Sequence, residues 1–80
     1  MVGVLITLKF HLAGDVPVWN NQDMEWGRSA TLCVDYIRSN EICLVVKHDI
    51  TFRGTHVLQV LTPRGNVGWV QYCNIKEVYL

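Results

Sequence analysis

The sequence lacks the features that mark several large classes of protein. Its seven lysines and arginines balance seven aspartates and glutamates, so the 80-residue chain has no formal net charge. Proteins whose affinity for nucleic acid comes mainly from phosphate neutralisation are basic, and the composition argues against that class. No apolar run approaches the roughly 18 residues that a membrane-spanning helix needs. We therefore expect a protein that does not associate with membranes.

The opening residues, MVGVLITLKFHLAGD, are apolar but do not fit an export signal. They lack a basic segment before the apolar run, and Lys9 interrupts that run. We therefore expect a cytoplasmic chain. Half of the residues are hydrophobic and 18% are charged, which is typical of a globular domain. This length predicts a single domain over residues 1–80.

Cysteine is scarce and unpaired in the sequence. Cys33, Cys43 and Cys73 are odd in number and widely separated, unlike the paired cysteines of small secreted domains. We expect three reduced thiols. Cys73 with His56 or His11 is a candidate nucleophile and base, but a buried, inert cysteine is the commoner situation.

Metal and catalytic motifs are also missing. There is no C-x-x-C pair, and the intervals among Cys43, His48, His56 and Cys73 are wide. On a regular strand, residues five positions apart point to opposite faces, which would separate Cys43 from His48. The scattered carboxylates form no acid-base motif, and no glycine-rich phosphate loop is present. We expect no metal site, no cofactor and no enzymatic activity.

What the sequence does have is a succession of strand patterns. At the start, apolar residues occupy every second position: Val2, Val4, Ile6, Leu8, Phe10 and Leu12. This period of two predicts a strand with one buried face. Alternation recurs in 30–37 and in 42–50, and the short connection 38–41 predicts that these two strands pair as a hairpin.

The segment 55–75 gives the strongest strand signal. Residues 56–62 suit a pleated, largely buried strand. The tetrapeptide PRGN at 63–66 predicts a tight turn, because proline fixes φ while glycine and asparagine tolerate positive φ. The return strand follows at 67–70, where Gly68 suits the close approach of another backbone.

The intervening segment 15–29, DVPVWNNQDMEWGRS, has no sustained period and predicts a long loop. Loops of this length are often functional. This one contains Trp19 and Trp26, which makes it a candidate binding surface. The alternative is that both rings fold back over the core as a lid.

The end of the chain resembles a known family. The octapeptide GWVQYCNI at 68–75 resembles the closing signature of SH3 and bacterial SH3-like domains, in which a 3₁₀ turn precedes the last strand. VLQVLTPRGNVGWV resembles the distal hairpin of small SH3-like proteins frequent in bacterial and bacteriophage genomes, and VGVLITLK is similar to their first strand. Gln71 and Asn74 stand where peptide-binding SH3 domains have proline and tyrosine, so the resemblance does not imply proline-rich ligands.

The resemblance implies an all-β fold, namely an SH3-like small barrel of five to six antiparallel strands. A long loop would follow the first strand, and a 3₁₀ turn at 71–74 would precede the last, at 75–80. The chain has one strand pattern too many for five strands. Either 30–37 or 42–50 is therefore an insertion or an extension of the long loop.

For function, the resemblance implies a non-enzymatic protein-interaction or structural module with a protein partner. The candidate surface is where Trp19 and Trp26 of the long loop approach Trp69 and Tyr72, because exposed aromatic residues mark binding sites. The alternative is a small barrel that binds nucleic acid. Its basic face would consist of Lys9, Lys47, Arg53 and Arg64, with Trp69 or Tyr72 beside it.

Overall fold

The computed structural model describes residues 2–8, 15–22 and 32–78 of the chain. Within these residues it is all-β, with seven strands joined in a curled antiparallel sheet that forms a half-barrel. The strands are β1 (Leu5–Leu8), β2 (Val16–Trp19), β3 (Cys33–Ile37), β4 (Cys43–Ile50), β5 (His56–Leu61), β6 (Val67–Gln71) and β7 (Ile75–Glu77). A 3₁₀ turn at Tyr72–Asn74 precedes β7.

The all-β class and the 3₁₀ turn before the last strand are confirmed, whereas seven strands replace the five to six that were predicted. The order across the sheet is β3-β2-β6-β5-β4-β1-β7. Strands β4, β5 and β6 follow one another as a meander. The tight turn at 63–66 is confirmed as well, because Gly65 has a φ of +86° and Asn66 accepts a hydrogen bond from the Thr62 N–H.

One hydrophobic core collects side chains from all seven strands. Its buried members are Ile6, Leu8, Val16, Val18, Ile37, Cys43, Val45, Leu58, Val60, Val70 and Ile75. The alternation predicted for the first strand is confirmed at Ile6 and Leu8, but Val2 is exposed. Phe10 and Leu12 lie outside the described residues. No helix in the described part of the chain is long and apolar enough to cross a membrane.

The prediction of a continuous loop at 15–29 is wrong, because its first part is strand β2. Val16 and Val18 are buried, whereas Pro17 and Trp19 are half-buried, so four residues already show a period of two. Proline argues against a strand because it cannot donate to the ladder. Here β2 contacts β6 at a single register pair, Trp19 with Trp69. The β2–β6 ladder is therefore so short that the missing N–H of Pro17 interrupts few of its hydrogen bonds.

The predicted hairpin between 30–37 and 42–50 is also wrong. Strand β3 pairs with β2, and β4 pairs with β1 and β5. Both edges of β4 are therefore occupied near Leu44, which leaves no edge for β3. The connection between them turns at Asn40, which has a φ of +72°. Asparagine tolerates this region better than most residues.

Gly68 allows β6 to approach β2 and β3 closely. A Cβ atom at this position would lie 2.5 Å from Val18 Cγ1, 2.7 Å from the Trp19 carbonyl oxygen and 2.9 Å from Val34 Cγ2. Real Cβ atoms do not make contacts this short. The expectation that Gly68 permits a close backbone approach is confirmed.

We predict that Gly68→Ala destabilises the protein by about 1–3 kcal/mol, as overpacking of a tight contact does. The added methyl group would displace backbone as well as side-chain atoms, since the Trp19 carbonyl has to move. Urea denaturation measures the loss. Gly54→Ala is the comparison, because Gly54 has open space around its Cβ position and only a positive φ of +82° to make substitution costly. Equal stability of Gly68→Ala and the unaltered protein would contradict the prediction.

Candidate functional site

The four aromatic residues predicted to form a binding surface do not share one environment. Trp19 and Trp69 are paired across β2 and β6, but Trp69 is only 7% exposed and Trp19 is half-buried. Trp26 lies outside the described residues. Tyr72, in the 3₁₀ turn, is 46% exposed and contacts two histidines instead.

Those histidines, His48 and His56, form an exposed cluster with Tyr72. His48 lies opposite Leu58 in the β4–β5 ladder and His56 lies opposite Ile50, so the two histidines are diagonal neighbours on adjacent strands. The Tyr72 ring stacks on His48, with centroids 6.1 Å apart and planes 16° from parallel, and lies 6.2 Å from His56. Three ring systems thus meet where the β4–β5 hairpin approaches the 3₁₀ turn.

A β-bulge puts His48 in this position. The pairing register shifts between Val45 and Lys47, which adds one residue to β4 relative to β5. Val45 lies opposite Val60 and His48 opposite Leu58, so His48 lies on the same sheet face as Cys43 and Val45. The prediction that Cys43 and His48 point to opposite faces is therefore wrong, because it assumed a regular strand.

The two imidazoles are joined by a hydrogen bond. His48 Nε2 and His56 Nδ1 are 2.9 Å apart, and the ring centroids are 5.2 Å apart. The difference between these distances is about two imidazole radii, so both nitrogens lie close to the line between the ring centres. One ring donates and the other accepts, which requires at least one neutral imidazole. Within the described residues, His48 Nδ1 and His56 Nε2 make no other hydrogen bond.

Exposed apolar side chains extend this cluster along the hairpin. Ile50, opposite His56, is 54% exposed, and Phe52, in the loop after β4, is 80% exposed. The Arg53 guanidinium lies 5.4 Å from the centre of the Phe52 ring. We call the set of His48, Ile50, Phe52, His56 and Tyr72 the hairpin-end surface.

A second group of polar side chains surrounds Arg64 in the β5–β6 turn. Its guanidinium donates to the carboxylates of Asp35 and Glu41 and to the backbone carbonyl of Tyr36. These contacts attach the turn to β3 and to the connection that follows it. The side chains of Asp35 and Glu41 are 9% and 20% exposed, whereas that of Arg64 is 37% exposed, so the carboxylates are more shielded from water than the guanidinium.

Asp35 is the centre of this group. Burial alone would raise its pKa, but hydrogen bonds from Thr62, Asn66, the Tyr36 N–H and Arg64 together hold that pKa well below its usual value. The Thr62 hydroxyl donates at 2.6 Å, and Thr62 is itself buried. A carboxylate with four donors is a structural anion and has little capacity left to act as a general base.

The cysteines are all free. Cys43 is buried, and burial, with a smaller effect of Glu41, raises its pKa to about 11. That thiol is unreactive at neutral pH. Cys73 is exposed, so the expectation that it is buried is wrong, and its thiol contacts the side-chain oxygens of Gln71 and Asn74. His56 is engaged with His48 instead. His11, the other candidate base, lies outside the described residues.

The basic residues considered for nucleic-acid binding make different contacts from one another. Arg64 is neutralised by two carboxylates, and Arg53 lies over Phe52. Lys47 is exposed on β4, and Lys9 lies outside the described residues. Across the described residues, no group of three or more histidine, cysteine, aspartate and glutamate side chains is arranged to hold a metal ion.

Sequence reasoning missed the pairing of the two histidines. The signal that could have found it is their placement near the ends of consecutive strands, eight positions apart around the 51–55 loop. The bulge, which brings His48 onto the right face, has no comparable signature in the sequence. Tyr72 was identified as a site residue, but with the tryptophans as its expected neighbours.

We predict that Trp69→Ala lowers the free energy of unfolding by about 3 kcal/mol or more, as removal of a buried aromatic side chain does. The ring is buried on the sheet face opposite the core cluster, together with Val57. Urea denaturation gives the value, and Tyr72→Ala, at an exposed ring, should cost much less. A loss below about 1 kcal/mol for Trp69→Ala would show that the ring contributes little packing.

We predict that Asp35→Asn flattens the acid limb of the stability curve. The pKa of Asp35 is lower in the folded than in the unfolded chain, so its contribution is complete above the unfolded value of about 4 and is lost as pH falls below it. Denaturation between pH 7 and pH 2 should show lower stability at pH 7 and a shallower acid decline in the variant. The pKa of Glu41 is lowered too, mainly by Arg64, and Glu41→Gln is the matched control with a smaller effect. An unchanged slope in Asp35→Asn would contradict this.

Comparison with known proteins assigns this chain to no family. No family model matches the sequence, no curated protein matches it, and no solved structure matches its fold. Its function has to be inferred from its own residues. Among those that the structure describes, the hairpin-end surface combines exposed apolar side chains with a pair of accessible imidazoles.

Proposed function

We propose that the protein is a non-enzymatic interaction module with an SH3-like barrel plan, of the type that bacteria and bacteriophages encode. Five strands support this plan: β1, β4, β5, β6 and β7 follow one another with a loop, a tight turn and a 3₁₀ turn in the expected places. Strands β2 and β3 pair with each other in the connection between β1 and β4. On this interpretation, β2 and β3 are the additional strands and β4 belongs to the barrel.

The proposed ligand is a short segment of a partner protein that binds the hairpin-end surface. The observation that carries this proposal is the exposure of Ile50 and Tyr72 beside two imidazoles, with Phe52 exposed two residues after Ile50 in the same hairpin. Exposed aromatic and apolar side chains supply contact area, and free ring nitrogens supply hydrogen bonds that orient a ligand. Aromatic residues of this kind dominate binding energy at interfaces.

Catalysis is a poorer interpretation of the same residues. The two histidines are hydrogen-bonded to each other, and Asp35 is engaged by four donors. The chemistry that remains is reversible recognition through stacking, apolar contact and hydrogen bonds.

We predict that peptides selected from a displayed random library against the intact protein bind this surface. Alanine at Tyr72 or Phe52 should weaken a selected peptide by about tenfold or more, because each removes aromatic contact area. Calorimetry gives the affinities, and NMR shift mapping locates the peptide. Tyr36→Ala, at an exposed tyrosine on β3, is the matched control and should leave the affinity unchanged.

Two results would overturn the proposal. One is a selected peptide whose shift changes lie on β3 rather than near His48, His56 and Tyr72. The other is binding of single-stranded DNA at low salt that is lost in a Lys47→Ala, Arg53→Ala double variant. That second result would make the protein a nucleic-acid binder, with the salt dependence that phosphate contacts produce.

A further inference from the structure

We propose that His48 and His56 form a two-nitrogen chelating site for a divalent transition-metal ion, best suited to Ni²⁺ or Cu²⁺. This inference does not depend on the proposed function. Imidazole nitrogens are good ligands for both ions. The pair is accessible, because His56 is exposed and His48 half-buried.

The spacing of the two nitrogens favours a particular coordination geometry. His48 Nε2 and His56 Nδ1 are 2.9 Å apart. Two ligands at about 2.05 Å from one ion are about 2.9 Å apart when they subtend 90° and about 3.3 Å apart at the tetrahedral angle. The observed separation is set by the N–H···N hydrogen bond, and it is already that of two adjacent positions on a square-planar or octahedral ion, the arrangements that Cu²⁺ and Ni²⁺ adopt.

Binding replaces the hydrogen between the rings with the ion. In the hydrogen-bonded pair, one facing nitrogen carries a hydrogen and the other a lone pair. In the metal-bound pair, both facing nitrogens present lone pairs, and the hydrogens reside on His48 Nδ1 and His56 Nε2. When both rings are neutral, this is a tautomer exchange through water with no net loss of a proton; when one is protonated, one proton is released.

Both imidazole rings have to rotate before they can bind an ion, because in the hydrogen-bonded pair their facing nitrogens lie along the line that joins the two ring centres. Each must rotate until its lone pair points at an ion beside that line, by about 45° for adjacent square-planar positions. His56 has the freedom to do so, since its side chain is exposed. His48 is supported from one side by the nearly parallel Tyr72 ring. Water completes the coordination, since no histidine, cysteine, aspartate or glutamate in the described part of the chain forms a group of three with the pair.

The test is calorimetric titration of the untagged full chain with Ni²⁺ in a non-chelating buffer at pH 7.5. We expect one ion per chain. His48→Asn and His56→Asn should each weaken binding by about tenfold or more, and the double variant should bind no more weakly than either single one. That non-additivity is expected of a chelate, since losing one nitrogen removes the whole arrangement.

The exposed thiols are the competing ligands, and they have their own control. A Cys33→Ser, Cys73→Ser variant should bind Ni²⁺ as the unaltered chain does; loss of binding in it would overturn the proposal. A second measurement needs no variant: paramagnetic Ni²⁺ should broaden the ring signals of His48 and His56 together, at less than one equivalent. Broadening of His11 first, or of neither ring of the pair, would also overturn it.

Discussion

The close approach of β6 to β2 at Gly68 is the constraint on which the arrangement of the sheet depends. Strand β2 has a single register pair with β6, Trp19 with Trp69, so few ladder hydrogen bonds hold it there. Packing holds β2 in place instead, because Val18 and Val34 lie against the backbone of Gly68, which has no side chain. Because β3 pairs with β2 alone among the described strands, both strands depend on this contact, and with them the buried side chains of Val16, Val18 and Ile37.

The polar group around Arg64 is a second attachment for the same two strands. It joins the β5–β6 turn to Asp35 on β3 and to Glu41 in the next connection. A carboxylate that is largely removed from water, as Asp35 is here, stabilises the fold only when its hydrogen-bonding capacity is met. Here that capacity is met, since Asp35 also accepts hydrogen bonds from the side chains of Thr62 and Asn66. Apolar contact at Gly68 and ion pairing at Arg64 therefore act near the same turn of the β5–β6 hairpin, through the neighbouring residues Val34 and Asp35 of β3.

The parts of the fold that could be predicted are those that depend on residues close together in the sequence. The β5–β6 hairpin, the turn at 63–66, the role of Gly68 and the 3₁₀ turn depend on local chemistry, and the sequence indicated all of them. The pairing of β3 with β2 depends on which strand edges are already occupied, which is a property of the whole sheet. The strand signal in β2 was hidden because Pro17 is read as a breaker, and only the sparse β2–β6 ladder shows why it is tolerated.

The candidate site was predicted less well than the fold, and for a related reason. Tyr72 could be named because its place in the 3₁₀ turn is local. Its neighbours could not, because a bulge in β4 reverses the face of every residue after Val45, and a shift of one residue is invisible to a period-two pattern. The proposed site thus depends on an irregularity of β4, in keeping with the frequent placement of bulges beside active sites.

Tyr72 belongs to both proposed activities, and this links them. Its ring stacks on His48 and is part of the surface proposed for a peptide. An ion that reorients His48 changes the surface that the Tyr72 ring presents, and a peptide that fixes Tyr72 limits the rotation of His48. Thermodynamic linkage then requires that each ligand alter the affinity of the other by the same factor. The two sites are too close to be independent: a metal ion and a peptide would bind either cooperatively or in competition, and the sign of that coupling is set by whether the turned imidazole still leaves room over Tyr72.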